Sequence, residues 1–351
     1  MEKVRIGIIG VGGIAQSAHI PPLKECPEAE IVAICDIDPE KLKKVGDDLQ
    51  LAEEYRFADY HDLVACPLVD AVEICTPNYL HVPMALDVLK AGKSVNIEKP
   101  LALNVEQAQP LREYKLADGQ AAMMCFSYRF KPAVRYAKTI IEEGRLGRIT
   151  GVQISYLKDS GLWPGRKLEW RFNKEQAGTG VLGDLGVHLI DMCQLLAGRI
   201  VSICGRTQTI VKERMKLDDS GMGKVETDDT CCFLAVLENG ADVTFSINRC
   251  SFGHRNTIRF EIYGTEGAIS VDLTKPDILW LAGGEGEEDK KLHEIPVPEE
   301  YKAGQEQTFV NAVLGKETSL YPSLKDGLNS QVILDALLTS SVENRWVDIE
   351  G

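Results

Sequence analysis

The chain has 351 residues, 44% hydrophobic and 26% charged, a balance that excludes a disordered or fibrous protein and at this length predicts two domains rather than one core. Acidic residues exceed basic ones, 53 to 39, for a formal net charge of -14; a surface that acidic repels phosphate backbones and argues against nucleic acid as a partner. No apolar run of membrane length is expected, and the opening MEKVRIGIIG lacks the apolar core and small-residue cleavage site of a signal peptide.

The first third of the chain alternates. Short apolar patterns at 4–10, 30–35, 71–75, 94–98 and 121–127 read as strands, and the segments 12–25, 39–51, 79–91 and 104–117 between them read as helices. This alternation predicts a doubly wound α/β domain, of Rossmann type, over 1–127. Pro21 and Pro22 fall inside the first helical segment and Pro110 inside the fourth, and a kink or break is expected at each because proline has no backbone donor.

After residue 127 the rhythm changes. A helix ends near Gly144, RITGVQISYL reads as a strand, and a glycine-rich entry at 177 passes into a helix that runs to 197. Strand patterns with short turns follow from 199 to 281, with ENGA (238–241) as a hairpin signal. They predict an α+β second domain over 128–351, built on a large, mostly antiparallel sheet. The polar 283–291 reads as a loop, and helical segments near 303–315 and 324–342 close the chain, the last of them expected to pack back on the first domain. Ten cysteines include no C-x-x-C pair, and Cys35 and Cys75 sit inside apolar strand patterns. They read as core thiols of a reduced, cytoplasmic protein, and no metal site is expected.

Gly10-x-Gly12-x-x-Ala15 follows the first strand directly and opens a helical pattern, the context that a dinucleotide fingerprint requires. Gly10 would permit the tight turn, Gly12 would let the backbone approach a pyrophosphate at the helix N-terminus, and Ala15 is small enough for close helix–strand packing. Asp36 ends the second strand, 21 residues after Ala15. An acid there accepts hydrogen bonds from the adenosine ribose and repels a 2′-phosphate, so NAD is expected rather than NADP. The plainer reading of Asp36 is a turn residue of CDIDPE, a part that Asp38 can share.

Four further motifs occur in order: ICTPN (74–78), IEKP (97–100), YRFKPAV (128–134) and GTGVLGDLGVHLID (178–191). Together with the glycine fingerprint they resemble the Gfo/Idh/MocA family of oxidoreductases, which includes inositol dehydrogenases and glucose–fructose oxidoreductase, over nearly the whole chain. The resemblance implies a substrate-binding and oligomerisation domain after the Rossmann domain, with the sheet as the interface of a homodimer or homotetramer. It implies that Gly10, Gly12, Gly13 and Ile14 hold the pyrophosphate and Asp36 the ribose. Thr76, Pro77, Asn78 and His81 would line the cofactor groove, with Glu98 and Lys99 beside the nicotinamide end. Lys99, Asp184 and His188 match the catalytic residues, and Arg129, Trp170 and Arg171 would approach the substrate. The Lys–Pro bond of the EKP motif is often cis in the family.

The chemistry fits those residue types. Oxidising a secondary alcohol sends a hydride to the nicotinamide and a proton to a base. His188 suits the base, since an imidazole titrates at about 6.5. Asp184, four residues earlier, shares its helix face and would bind substrate or orient the ring. Lys99, at the end of a strand, would stabilise the alkoxide. Read without the family, His188 is a structural histidine among Val187, Leu189 and Ile190, Asp184 a helix cap, and Lys99 a surface lysine before a turn-forming proline. Asp191 is either a support for His188 or a solvated acid. Specificity is expected from 158–173 and 245–256, where Arg166, Lys167 and Arg171 suit an anionic substituent and the tryptophans a sugar ring. The leading expectation is NAD-dependent oxidation of a ring hydroxyl of a small-molecule sugar, sugar derivative or cyclitol. The alternatives are redox-neutral, NAD-dependent glycoside cleavage and a non-catalytic dinucleotide or sugar sensor.

Overall fold

The computed structural model describes residues 3–349 apart from 285, 287 and 317; two of these three, Glu285 and Glu287, belong to the loop expected at 283–291. The chain divides into two compact units, Met1–Phe126 with Gly304–Leu328, and Ser127–Ala303 with Asn329–Gly351.

The first unit is a six-stranded parallel sheet formed by β1 (Val4–Ile9), β2 (Ala29–Cys35), β3 (Arg56–Phe57), β4 (Ala71–Ile74), β5 (Ser94–Ile97) and β6 (Ala122–Met124), in the order β3-β2-β1-β4-β5-β6. Strands β4 and β5 are buried at every position, polar Glu73, Ser94 and Asn96 included. The short β3 and the helix Tyr60–Ala65 escaped the sequence reading. A π turn, Ala15–His19, leads into the helix Ile20–Glu25. Pro21 and Pro22 occupy the first turn of that helix, where a missing N–H costs nothing. Pro110 lies inside the helix Val105–Glu113, which continues past it, so the expected break is absent. The returning segment packs Phe309 and Val310 into the core with Val4, Ile6, Ile8 and Leu23.

The second unit carries β7 (Ile149–Leu157), β8 (Ile200–Gln208), β9 (Glu213–Met215), β10 (Met222–Lys224), β11 (Thr230–Leu237), β12 (Asp242–Asn248), β13 (Thr257–Gly264), β14 (Gly267–Asp272), β15 (Ile278–Gly283), β16 (His293–Pro296) and β17 (Val347–Asp348). Nine of them form one sheet, β16-β15-β14-β13-β7-β12-β11-β8-β17, antiparallel except where β7 meets β12; β9 and β10 pair separately. The helix Val187–Ala197 packs on β7. Gly186, in the turn before it, permits a close approach to β12, since a Cβ there would lie 2.9 Å from Cδ1 of Ile247. Against expectation, the run Lys174–Ala197 is long and apolar enough to cross a membrane, yet 83% of its apolar window is buried in the fold as a core helix. The final helix, Leu324–Glu343, passes from one unit into the other. Its later turns lie on β8, where Ser340 and Ser341 accept from the amides of Gly205 and Thr207 at 3.0 Å. The return to the first unit is therefore made by 304–328.

Candidate active site

The glycine loop is built as a cradle. Gly10 has φ +86°, and a Cβ there would stand 2.7 Å from the Cys75 carbonyl oxygen, so no other residue fits the turn. A Cβ at Gly12 or Gly13 would meet nothing within 4 Å. That open space beside exposed backbone at the start of a helical turn fits a dinucleotide pyrophosphate. Asp36 closes the loop from β2: its carboxylate accepts from the Val11 amide at 2.9 Å and from the Asp38 amide at 2.9 Å. Asp38 caps the helix Pro39–Asp48, accepting from the Glu40 and Lys41 amides. Asp36 thus makes the turn bond of the plainer reading, and Asp38 shares that part as the helix cap.

Further along the same edge, Thr76 and Pro77 are half-buried and Asn78 is buried. His81 departs from its expected place in the groove. It is fully buried, with Nδ1 2.7 Å from the Pro100 carbonyl and Nε2 2.9 Å from the Thr76 carbonyl. A neutral imidazole donates from one nitrogen, so the ring hydrogen-bonds one of these two carbonyls. Burial lowers its pKa. Glu98 is buried and accepts from the Lys99 amide at 3.0 Å. Lys99 is half-buried, and the Lys99–Pro100 bond is cis.

Behind Glu98 lies a buried polar cluster. His19 sets Nε2 2.9 Å from Glu98 Oε1 and Nδ1 3.1 Å from Glu73 Oε2, with Glu306 Oε1 at 3.5 Å. Donor atoms of His19, Glu73 and Cys125 lie within 4.8 Å of one another, but both imidazole nitrogens already face carboxylates. Burial opposes the charged imidazole, yet the Cys75 and Cys125 sulfurs and the Glu73 carboxylate outweigh it and hold the His19 pKa well above the ordinary value. Burial and the Glu73 charge push Glu306 up to about 7.

In the second unit Asp184 lies in a π turn, Leu182–Gly186, that runs directly into the helix carrying His188. Gly186 at the helix start has helical geometry and no side-chain cap, so Asp184 is not a cap. The glycine-rich entry is held by Asp228, which accepts from the amides of Gly180 at 2.6 Å and Leu182 at 2.8 Å. A Cβ at Gly180 would stand 2.0 Å from the Asp228 carbonyl. His188 is buried, and the Tyr128 ring meets it edge-on with centroids 4.7 Å apart. The Tyr128 and Tyr156 hydroxyls are 2.8 Å apart, and Tyr156 donates to Asn256 Oδ1 at 2.8 Å. Burial, then Tyr128 and the charge of Asp184, raise the Tyr156 pKa, so this phenol stays protonated.

Arg129 is the plainest correction. Its guanidinium is buried and spent on Asp191, with Nε 2.8 Å from Oδ2 and a second, shorter contact to Oδ1. Asp191 is therefore not solvated; with Arg129 it ties the His188 helix to the Ser127–Phe130 turn. Arg166 and Lys167 pair with Glu169 at 3.2 Å and Asp219 at 2.8 Å. Arg171 stacks on Trp170 at 4.4 Å, and both side chains are half-buried.

Comparison with known proteins decides the family. The description "Oxidoreductase family, NAD-binding Rossmann fold" matches residues 4–125, and "GFO/IDH/MocA C-terminal domain" matches 134–270. A levoglucosan dehydrogenase of Pseudarthrobacter phenanthrenivorans is 30% identical across 99% of both chains. The chain belongs to the Gfo/Idh/MocA oxidoreductases. An inositol 2-dehydrogenase of Rhizobium meliloti is 25% identical across 99% of each chain. A levoglucosan dehydrogenase structure in complex with NADH and levoglucosan superposes with a TM-score of 0.91 at 28% identity, covering 100% of both chains.

Within this Gfo/Idh/MocA chain, three parts of the site escaped the sequence reading. Tyr128, next to Arg129 in the YRF motif, is the residue that meets His188. Asp228 shapes the glycine-rich entry from a loop 48 residues away. His19 was given no role, although its position four residues after buried Ala15 and four before buried Leu23 marks it as a polar residue on a core face.

Proposed function

We propose that this oxidoreductase oxidises a secondary ring hydroxyl of a sugar, sugar derivative or cyclitol, with NAD as the hydride acceptor. His188 takes the hydroxyl proton, Asp184 hydrogen-bonds and orients the substrate, and Lys99 stabilises the alkoxide. Residues Gly10, Gly12, Gly13 and Ile14 hold the pyrophosphate, and Asp36 holds the ribose and disfavours NADP. The observation that carries the reading is the second unit's arrangement. A π turn and the helix that continues it present Asp184 and His188 beside one Tyr128–Tyr156 pair, whose hydroxyl network is oriented by Asn256. Relatives named for levoglucosan and inositol, both ring polyols, support a substrate of that class.

The test is NADH production, followed by absorbance, with a panel of anhydrosugars, inositols, aldoses and uronic acids. Activity on neutral ring polyols that is lost in His188→Ala supports the reading. Sugar release without net NADH would replace it with redox-neutral cleavage. NAD binding with every Lys99, Asp184 and His188 variant as active as the wild type would replace it with a sensor. We also propose a homodimer or homotetramer formed through the nine-stranded sheet, checked by light scattering, and a cytoplasmic location, consistent with ten free cysteines.

A further inference from the structure

His19 is 1% exposed and faces carboxylates at both ring nitrogens. A neutral imidazole donates from one nitrogen only, so this arrangement favours an imidazolium, consistent with the raised pKa. The groups facing it come from every neighbouring element: Glu73 and Cys75 from β4 and its end, Glu98 after β5, Cys125 after β6, and Glu306 from the helix Gln305–Val313. Each carboxylate is braced in turn. Asn96 donates to Glu73 at 2.8 Å while accepting from Cys125, and Gln305 donates to Glu306 at 3.0 Å.

The consequential link is Glu98. One of its oxygens meets His19 at 2.9 Å, and the other accepts from the Lys99 amide at 3.0 Å. A carboxylate bonded to the amide of the next residue sets the backbone direction from which the Lys99 side chain leaves. Alone, that carboxylate could rotate away; the imidazolium holds its far oxygen. From the other side His81 Nδ1 lies 2.7 Å from the Pro100 carbonyl.

We propose that His19 is a positioning residue for Lys99, acting through the Glu98 carboxylate. The proposal rests on the catalytic part given to Lys99 above, and two independent readouts separate the two ideas. The first is hydrogen exchange of the full-length protein. His19→Gln is expected to speed exchange of the Lys99 amide, read in a peptide covering 97–103, by about ten-fold or more, with exchange in 4–9 within about two-fold of wild type. Unchanged Lys99 exchange overturns the proposal whatever the kinetics show.

The second readout is a double-mutant cycle in kcat. His19→Gln is expected to lower kcat by about 10–100-fold while substrate KM moves by about three-fold or less. In a Lys99→Met background the same substitution is expected to have almost no further effect, because it acts through Lys99. An equal loss in both backgrounds marks a merely structural histidine and overturns the proposal. Lys99→Met with wild-type kcat overturns the role of Lys99 itself, and the exchange result then still decides whether His19 holds the segment. If His19→Gln does not fold, Glu73→Gln replaces it. That variant removes the nearer of the two carboxyl groups facing Nδ1 and is expected to give the same changes, smaller in size; wild-type exchange and kcat there would overturn the proposal.

Discussion

Glu306→Gln measures the proton held in the buried cluster. Glu306 is 3% exposed, and burial, followed by the Glu73 charge, lifts its carboxyl from 4.5 to about 7. Between those values the folded chain keeps a proton that the unfolded chain has released. Stability from this group is therefore full below pH 4.5 and is lost as pH rises through about 7. At ~1.4 kcal/mol per pH unit the interval amounts to about 3 kcal/mol. Glutamine carries no such proton and keeps an oxygen for the Gln305 amide. The variant should therefore gain on the wild type by about 3 kcal/mol between pH 4.5 and 7 and run parallel above pH 7. In a unit of about 150 residues that gain is roughly 6–12 °C in Tm. Thermal melts of both proteins from pH 4.5 to 8, read as the difference at each pH, are the assay. Parallel curves across the whole range would refute a proton held at Glu306.

Gly10→Ala is expected to destabilise the first unit by about 2–4 kcal/mol, adding left-handed strain to a clash with the Cys75 carbonyl, and to abolish NAD binding; melting and calorimetry check both. Arg129→Met leaves the Asp191 charge buried without its guanidinium and should cost about 3–5 kcal/mol, whereas Arg129→Met with Asp191→Leu should recover most of it; urea unfolding distinguishes this from a substrate-binding arginine, whose loss would raise KM at unchanged stability. Asp36→Ala removes the acceptor of the Val11 amide as well as the proposed ribose ligand, so NAD affinity should fall about ten-fold or more while NADP affinity rises relative to it; titration of both cofactors is the check.

The architecture was legible because its signals are local. Apolar strands alternating with helices, a glycine turn after β1 and an acid after β2 follow from backbone geometry, and each can be read within a short window. Of the kink or break expected at Pro110, the break is absent, because a single missing donor is tolerated in a helix whose Ala108 and Leu111 are buried. The expected return by the last helix holds for its first turn, to Leu328, and the segment before it shares the return, because nothing local in 303–342 says which core its apolar face meets. The partners of His19 and Asp228 were illegible for the same reason in polar form. A buried imidazole is explained by Glu73, Glu98 and Glu306, which are 54 to 287 residues away in sequence, and a single sequence does not display that pairing.

Burial sorts the motif residues that the resemblance treated alike. A buried polar group must be satisfied inside the protein, so a motif residue that is both buried and fully bonded works on the backbone around the site. Arg129, Asp191, His81 and Glu98 all fall in this class, and each holds a helix, a loop or an amide in place. Lys99 and Asp184 are only half-buried, which leaves their heads within reach of a ligand. His188 is buried as deeply as Arg129, so burial alone does not sort it; its ring is in T-shaped contact with Tyr128. The same division explains why Tyr128 rather than Arg129 emerges as the neighbour of His188. In YRF the charged residue is consumed by anchoring the turn, and that anchoring is what holds the tyrosine ring upright against the imidazole. A substitution at Arg129 should therefore disturb His188 through Tyr128, a coupling that charge alone would not suggest.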